Sequence, residues 1–342
     1  MIELDTGRWE DFSIQEKAST EIFDALSNSI IGQDEALRKI SKVVLTWMNE
    51  DTRQEPVKPT VLLLMGPSGT GKTQTVKEIS KFIYGNDKIP RINCGQFNMG
   101  HQTHSLIGAP AGYIGYDHKS IFEQNKSYFG GTDSILLIDE VDKAHPDILR
   151  LFLNILDEGK VTLGNGKEVV FRNTLIVMTS NVGAEEMSNI MKEHTAGFIH
   201  RPNIGKDIKD VAYQAFENDK KFTPEFRGRI DHVVCFTTLD FSALTQIVLD
   251  LEKKVQEFLA PLGVFFDMDN AVVEYFARKG IDPRFIDMGV RSIKSAISEK
   301  ILSKLKDAKA EGILHIGEHI RAFLFDDEKI KFCIKKWDDR NN

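Results

Sequence analysis

The segment Gly66-Pro-Ser-Gly-Thr-Gly-Lys-Thr73 carries the most specific chemistry in the sequence. It satisfies GxxxxGK[ST], follows an apolar run and opens a helical pattern, the setting in which such a loop wraps a phosphate. Gly66, Gly69 and Gly71 let backbone N–H groups turn inward around an anion, with Pro67, Ser68 and Thr70 filling the turn. The helix N-terminus adds partial positive charge, Lys72 supplies a point charge for β- and γ-phosphates, and Thr73 offers a hydroxyl to Mg²⁺. A chance Gly-rich turn is the alternative, and the strand-to-helix setting counts against it. A second cluster closes Ile135-Leu-Leu-Ile-Asp-Glu140, an apolar strand ending in adjacent carboxylates. Beside a phosphate loop, Asp139 would lie near the metal and Glu140 could polarise a water in line with the γ-phosphate. Otherwise the pair merely caps the next turn. A third strand, Leu175-Ile-Val-Met-Thr-Ser-Asn181, also ends in polar groups. Asn181 either orients that water or simply starts a loop.

These groups need a scaffold that brings strand ends together. Four apolar runs, Val61 to Met65, Arg91 to Cys94, Ile135 to Ile138 and Thr174 to Thr179, alternate with helical patterns at Lys72 to Ile83, Ser120 to Ser127 and His145 to Glu158. That alternation predicts an α/β fold, a mostly parallel sheet with helices on both faces. Two amphipathic helices precede it, Ser13 to Leu26 and Asp34 to Met48, followed by a polar connector, Asn49 to Pro59. Lys160 to Phe171 alternates around Gly164-Asn165-Gly166, which predicts a hairpin arm projecting from the sheet. From about Asp240 the texture turns helical, with Asp240 to Leu259, Asn270 to Lys279 and Arg291 to Leu305, and then gives two strand candidates, Ile320 to Phe325 and Lys329 to Lys335. The expected division is an N-terminal helical extension over 1–29, a large α/β domain over 30–237 and a smaller C-terminal domain over 238–342, with the boundary near Val234 to Asp240.

The 342 residues suit two domains, and 41% hydrophobic with 28% charged residues is ordinary for a folded globular chain. Lys+Arg number 44 against 51 Asp+Glu, a formal charge of −7, so no global basic field draws nucleic acid or an anionic membrane. Cys94, Cys235 and Cys333 are widely spaced and lack CxxC pairing, which fits a reducing compartment better than a disulfide framework or a zinc site. No apolar run approaches the roughly 18 residues that span a bilayer. A cytoplasmic protein is expected.

In order, the phosphate loop, Gly108-Ala-Pro-Ala-Gly-Tyr-Ile-Gly-Tyr116, Leu137-Ile-Asp-Glu-Val-Asp-Lys-Ala-His-Pro146, Phe171-Arg-Asn-Thr174, Thr179-Ser-Asn181 and Phe222-Thr-Pro-Glu-Phe-Arg-Gly-Arg-Ile-Asp231 resemble AAA+ Clp unfoldases, above all the second ATPase module of ClpA and ClpB. The likeness runs from about Ile30 to Leu305. It implies an AAA+ P-loop NTPase fold, with ATP and Mg²⁺ held between a large and a small subdomain. It also implies a homohexameric ring and an unfolded or tagged protein substrate threaded through a central pore. The length leaves no room for a first ATPase module, a coiled-coil middle domain or a sizeable N-terminal domain, so a single-ring version is expected.

By the same resemblance, Ile30 and Ile31 match the apolar segment beside adenine, Thr73 and Asp139 the Mg²⁺ site, Glu140 the catalytic glutamate and Asn181 the first sensor. Arg229 matches the arginine finger that reaches a neighbour's γ-phosphate, with Arg227 an extra arginine in the motif, and Arg291 in Gly289-Val-Arg291 matches the second sensor. Tyr113, within Gly112-Tyr113-Ile114-Gly115, matches the pore-loop aromatic. A flat amphipathic ring grips any side chain and the glycines free the loop to move; a buried core tyrosine is the alternative. The hairpin would sit lower in the same channel as a secondary substrate contact. Two departures qualify the match. Asn93-Cys-Gly-Gln-Phe97 stands where relatives carry Asp-Met-Ser-Glu-Tyr, which removes two carboxylates and puts local hydrogen bonding in question. Thr195-Ala-Gly-Phe-Ile-His200 sits where peptidase-coupled relatives carry the Ile-Gly-Leu/Phe loop that docks ClpP, with Ala196 in place of the leading aliphatic residue. Gly197 and Phe198 therefore belong either to a docking loop for a ClpP-like peptidase or to a plain surface loop. Two rival functions are a AAA+ loader or remodeller of nucleic acid and a nucleotide-gated scaffold. The acidic balance and the absence of a helix-turn-helix pattern weigh against the first, and the complete catalytic set weighs against the second.

Overall fold

The computed structural model describes residues 18–49, 58–97, 99–110, 112–113, 118–129, 134–171, 173–195, 204–282, 284–285, 288–326 and 329–336. Helix α1 (18–27) and helix α2 (Asp34–Met48) come first. Ala36, Leu37, Ile40, Val43, Val44 and Trp47 of α2 recur at helical spacing and are buried, as an amphipathic stripe requires. Strand β1 (Thr60–Met65) leads through the glycine loop into α3 (Lys72–Tyr84), then β2 (Arg91–Asn93) and three short helices, α4 (Thr103–Ile107), α5 (Ile121–Gln124) and α6 (Lys126–Phe129). Next come β3 (Ser134–Asp139), α7 (Pro146–Glu158), the hairpin of β4 (Lys160–Thr162) and β5 (Glu168–Val170), and β6 (Thr174–Ser180). Helices α8 (Ala184–Thr195), α9 (Ile204–Asn218) and α10 (Pro224–Arg227) precede β7 (His232–Cys235).

Five of these strands form one parallel sheet in the order β2-β3-β6-β1-β7. Strands β1, β3 and β6 are buried along almost their whole length, which is why their sequences read as unbroken apolar runs rather than alternating ones. The register sets Met65 beside Ser180 and Ile138 beside Met178, so the carboxyl ends of the three strands finish together. Open parallel sheets take ligands outside those ends. Leu62, Leu64, Val76, Ile79, Ile135 and Val177 form a common core with Ile22 and Leu26 of α1 and Trp47 of α2.

The chain divides into two compact units: Met1–Gly66, Gly71–Ile190 and Ile199–Thr237 form the first, and Pro67–Thr70, Met191–Phe198 and Thr238–Asn342 the second. The second contains α11 (Phe241–Leu259), β8 (Phe265–Met268), α12 (Asn270–Ile281), α13 (Val290–Ile297), a π-helical turn (Ser298–Leu302), α14 (Ser303–Ala310), β9 (Glu318–Asp326) and β10 (Lys329–Lys336). Its sheet runs β10-β9-β8, antiparallel between β9 and β10 and parallel between β8 and β9.

Several local expectations change. The helix expected over Ser120 to Ser127 is two helices, because Asn125 ends α5 by donating its Nδ2 to Ile121 O at 2.8 Å. The pattern from Arg291 to Leu305 is not one α-helix but α13, the π turn and the start of α14. Strands β7 and β8 and helices α8 and α9 had no expectation attached. Of the first expected helix, Ser13 to Lys17 lie outside the described residues, as does most of the Asn49 to Pro59 connector.

Candidate nucleotide site

The phosphate loop starts where β1 ends. Gly66 has φ 131°, and a Cβ there would collide with the carbonyl of Phe236, so glycine is the residue that fits. Gly71, at φ 107°, is the N-cap of α3 and has no side chain to cap the helix, which leaves the first amides of α3 available to an anion. A Cβ on Gly71 would stand 3.2 Å from Ile30 Cγ2, so buried Ile30 lies against the loop, with half-buried Ile31 following it. Thr70 braces the turn by donating its hydroxyl to Pro67 O at 2.8 Å. Lys72 is buried and donates Nζ to Gly66 O at 2.6 Å and to Asn181 Oδ1 at 3.0 Å. The structure thus brings Asn181, from the end of β6, onto the lysine of the loop.

Asp139, the last residue of β3, is buried and heavily engaged. It accepts hydrogen bonds from the Thr73 hydroxyl at 3.0 Å, from the Thr179 hydroxyl and from Arg91 Nη2. Thr179 also accepts from the backbone N–H of Glu140 at 2.9 Å, so one hydroxyl ties both carboxylate residues to β6. Glu140 has φ 55°, a left-handed conformation costing about 1–3 kcal/mol for a non-glycine residue unless its surroundings enforce it. Its carboxylate receives Lys143 Nζ at 2.8 Å. Asp142 in turn accepts from Asn181 N at 3.1 Å and, through its carbonyl, from Lys221 Nζ. Thr73 Oγ1 and Asp139 Oδ1 are a pair of hard oxygen donors on adjacent elements. That set fits Mg²⁺, which dehydrates reluctantly and draws its other ligands from phosphate and water. Among the described residues no group of three or more His, Cys, Asp or Glu is arranged to hold a metal.

Arg229 forms an ion pair with Asp157 of its own chain, Nε to Oδ1 at 2.7 Å, whereas Arg227 donates to Phe222 O within its own turn. Arg291 is exposed on α13 in the second unit, next to Gly289, whose Cβ would meet Ser68 O of the same unit at 2.9 Å. Tyr113 is 66% exposed, which rules out the core alternative. Gly112 has φ 90° with open space around it. The hairpin touches the segment leading to Tyr113, since Gly164 N donates to Ile107 O at 2.8 Å. Ile114, Gly115, Gly197 and Phe198 lie outside the described residues. Asn181 also lines a cleft of about 580 Å³ with Glu185, Glu186, Gln214 and Asn218.

Five participants were given no role from the sequence: Arg91, Thr179, Asp142, Asp157 and Gln33. Gln33 is buried and clamps Thr237 in both directions, Nε2 to Thr237 O at 2.8 Å and Thr237 N to Oε1 at 3.1 Å. In Asn93-Cys-Gly-Gln-Phe97 the lost carboxylates leave the turn intact, because Asn93 Oδ1 accepts from Gly95 N at 3.0 Å. Cys94 and Cys235 are buried, and desolvation pushes each thiol up to about 12. No helix among the described residues is long and apolar enough to cross a membrane.

The family model for the AAA domain (Cdc48 subfamily) matches residues 58–233, and that for the C-terminal D2-small domain of ClpB protein matches residues 239–322. The chain is 30% identical over 340 residues to the negative regulator of genetic competence ClpC/MecB of Bacillus subtilis, covering 96% of this chain and 40% of that protein. It is 34% identical over 302 residues to the chaperone protein ClpB of Rickettsia bellii, covering 86% of this chain and 33% of that protein. A closed-state cryo-EM reconstruction of Hsp104 with ATPγS and FITC casein superposes with a TM-score of 0.71 at 25% identity, covering 96% of this chain and 53% of that one. The chain spans about a third to two fifths of the length of the curated relatives it matches.

Proposed function

Because this chain belongs to the Clp family of AAA+ ATPases, with an AAA domain followed by a ClpB-type D2-small domain, we propose that it is an ATP-dependent protein unfoldase and translocase, working in the cytoplasm as a homohexamer. The observation that carries this reading is the meeting of Lys72, Thr73, Asp139, Glu140 and Asn181 at the carboxyl ends of three adjacent strands. Lys72 donates to Gly66 O and Asn181 Oδ1, which sets its ammonium at the mouth of the loop. Charged β- and γ-phosphate oxygens are stronger acceptors for that ammonium than these neutral ones. Ile30 and Ile31 pack beside adenine. Thr73 and Asp139 would hold Mg²⁺, which would supply neutralising charge on the phosphates. Glu140, released from Lys143, takes the proton of the attacking water while Asn181 orients that water. Arg229 of the adjacent protomer stabilises charge on the γ-phosphoryl group, an effect worth roughly 10³- to 10⁵-fold in related systems. Arg291 brings the second unit's response to the nucleotide.

Hydrolysis then moves the Tyr113 loop against a threaded polypeptide. The exposure of Tyr113 and the left-handed Gly112 beside it support this, as do the casein in the Hsp104 structure and the description of the ClpB relatives as chaperones. A ClpP-like peptidase docking through Gly197 and Phe198 would extend unfolding to degradation. The experiment is ATP-driven unfolding of a tagged fluorescent protein without peptidase. Tyr113→Ala is expected to keep its ATPase and lose unfolding; equal unfolding by the variant and the unaltered chain rejects the pore assignment.

A further inference from the structure

Arg229 and Asp157 meet in an unusual way. Arg229 Nε is 2.7 Å from Asp157 Oδ1, yet the buried N–H misses the alignment of a hydrogen bond, so the contact is an ion pair. With Nε buried, the 37% exposure of the side chain falls on the rest of it. A guanidinium is a rigid planar fork, and an ion pair at its Nε leaves the terminal nitrogens to meet a phosphate. Asp157 itself lies in the last turn of α7, just before the C-cap Gly159, where the helix dipole disfavours a carboxylate. Cationic partners offset that: Arg229, and Lys58 at 3.8 Å from the same oxygen. The adjoining guanidinium holds the Asp157 carboxyl below the usual carboxylate range. The backbone is fastened separately. Asp231 N donates to Val61 O at 3.1 Å, and the Asp231 carboxylate accepts from Val61 N at 2.8 Å. Residues 229–231 are thereby pinned to β1 by Asp231 and to the end of α7 by Arg229.

We propose that Asp157 is the positioning residue of the arginine finger, holding Arg229 by an ion pair at its Nε so that the terminal fork is presented to the γ-phosphate bound by the next protomer. This rests on the reading of Arg229 as the finger. Steady-state ATPase of the full chain is measured for Arg229→Ala, Asp157→Asn, Asp157→Glu and the double variant Asp157→Asn/Arg229→Ala. Each is assayed alone and mixed in equal amounts with Glu140→Gln chains. Asp157→Asn is expected to lower kcat by about tenfold or more while KM for ATP stays within about threefold, because the finger acts on the transition state rather than on nucleotide binding. Asp157→Glu keeps the charge and recovers part of the rate. The double variant is no slower than Arg229→Ala alone. On mixing, Asp157→Asn chains offer sound pockets to the sound fingers of Glu140→Gln neighbours, so activity rises above the sum of the separate preparations. A purely structural Asp157 would damage its own pocket and show no such gain, which would overturn the proposal. So would an unchanged kcat in Asp157→Asn beside a crippled Arg229→Ala, leaving the finger reading intact. An unchanged kcat in Arg229→Ala removes the finger reading and this proposal together. If Asp157→Asn does not assemble, the mixing gain with Asp157→Glu decides, and its absence there counts against the proposal.

Discussion

Glu140 holds a backbone conformation that its own side chain does nothing to favour, φ 55°, and is kept there by the hydroxyl of Thr179 and the ammonium of Lys143. Glu140→Gln preserves shape while removing the proposed base. Hydrolysis should fall by roughly 10²- to 10⁴-fold with ATP affinity little changed, as read by phosphate release and by nucleotide titration. Thr179→Val deletes a hydroxyl that receives Glu140 N–H and serves Asp139. It should cost about 1–3 kcal/mol of stability in denaturant melts, because buried partners lose their bonds, and lower kcat as well. Lys72, Thr73, Asp139 and Glu140 were legible in the sequence because each belongs to a short motif whose chemistry is local. The roles of Thr179 and Arg91 were not. Their contacts with Asp139 exist only because β2 and β6 flank β3, a fact of sheet order rather than of spacing. The pairing of Asp157 with Arg229 is further removed still, joining a helix end to a turn far along the chain.

Strands buried on both faces announced themselves as apolar runs, which is why β1, β3 and β6 were expected within a residue or so. Strand β7 was not, since its four residues include an exposed His232 and half-buried Val233 on the sheet edge. The hairpin was legible from its glycine turn, but its anchorage was not: Phe171 at its base lies 4.8 Å from the Phe129 ring and 5.4 Å from the Phe122 ring, all three fully buried. Phe171→Ala should cost about 3–5 kcal/mol, checked by thermal and denaturant unfolding, with substrate unfolding falling more than basal ATPase because the hairpin arm loses its footing. The thiols of Cys94 and Cys235 yield a pH effect with a definite sign. Burial holds both protonated up to about 12, whereas in the unfolded chain a thiol ionises near pH 8.5. Above that pH the unfolded state binds fewer protons, so stability falls from about pH 8.5 toward 12. Replacing both by Ala should flatten that alkaline slope, and in the native protein neither should react with a thiol reagent at pH 8.

At the scale of the molecule, composition and charge argued against a global basic field for nucleic acid, left a local basic groove open, and said nothing of a ring. The second, helical unit begins at Thr238, near the change in sequence texture at about Asp240, but it also takes in Pro67–Thr70 and Met191–Phe198, which no change of texture marks; within the first unit Gln33 clamps Thr237 from a distance in sequence. The shared pocket proposed for Arg229 is one that residue spacing alone does not encode, since no spacing relates residues on different molecules; the reading came from the resemblance. The decisive measurement is ATPase activity after mixing equal amounts of Arg229→Ala and Glu140→Gln chains, each nearly inactive alone. If protomers share pockets around a ring, random assembly places a sound Glu140 beside a sound Arg229 at about one quarter of interfaces, and activity returns toward that fraction of the unaltered rate. Activity no greater than the two inactive preparations added together would contradict a shared pocket.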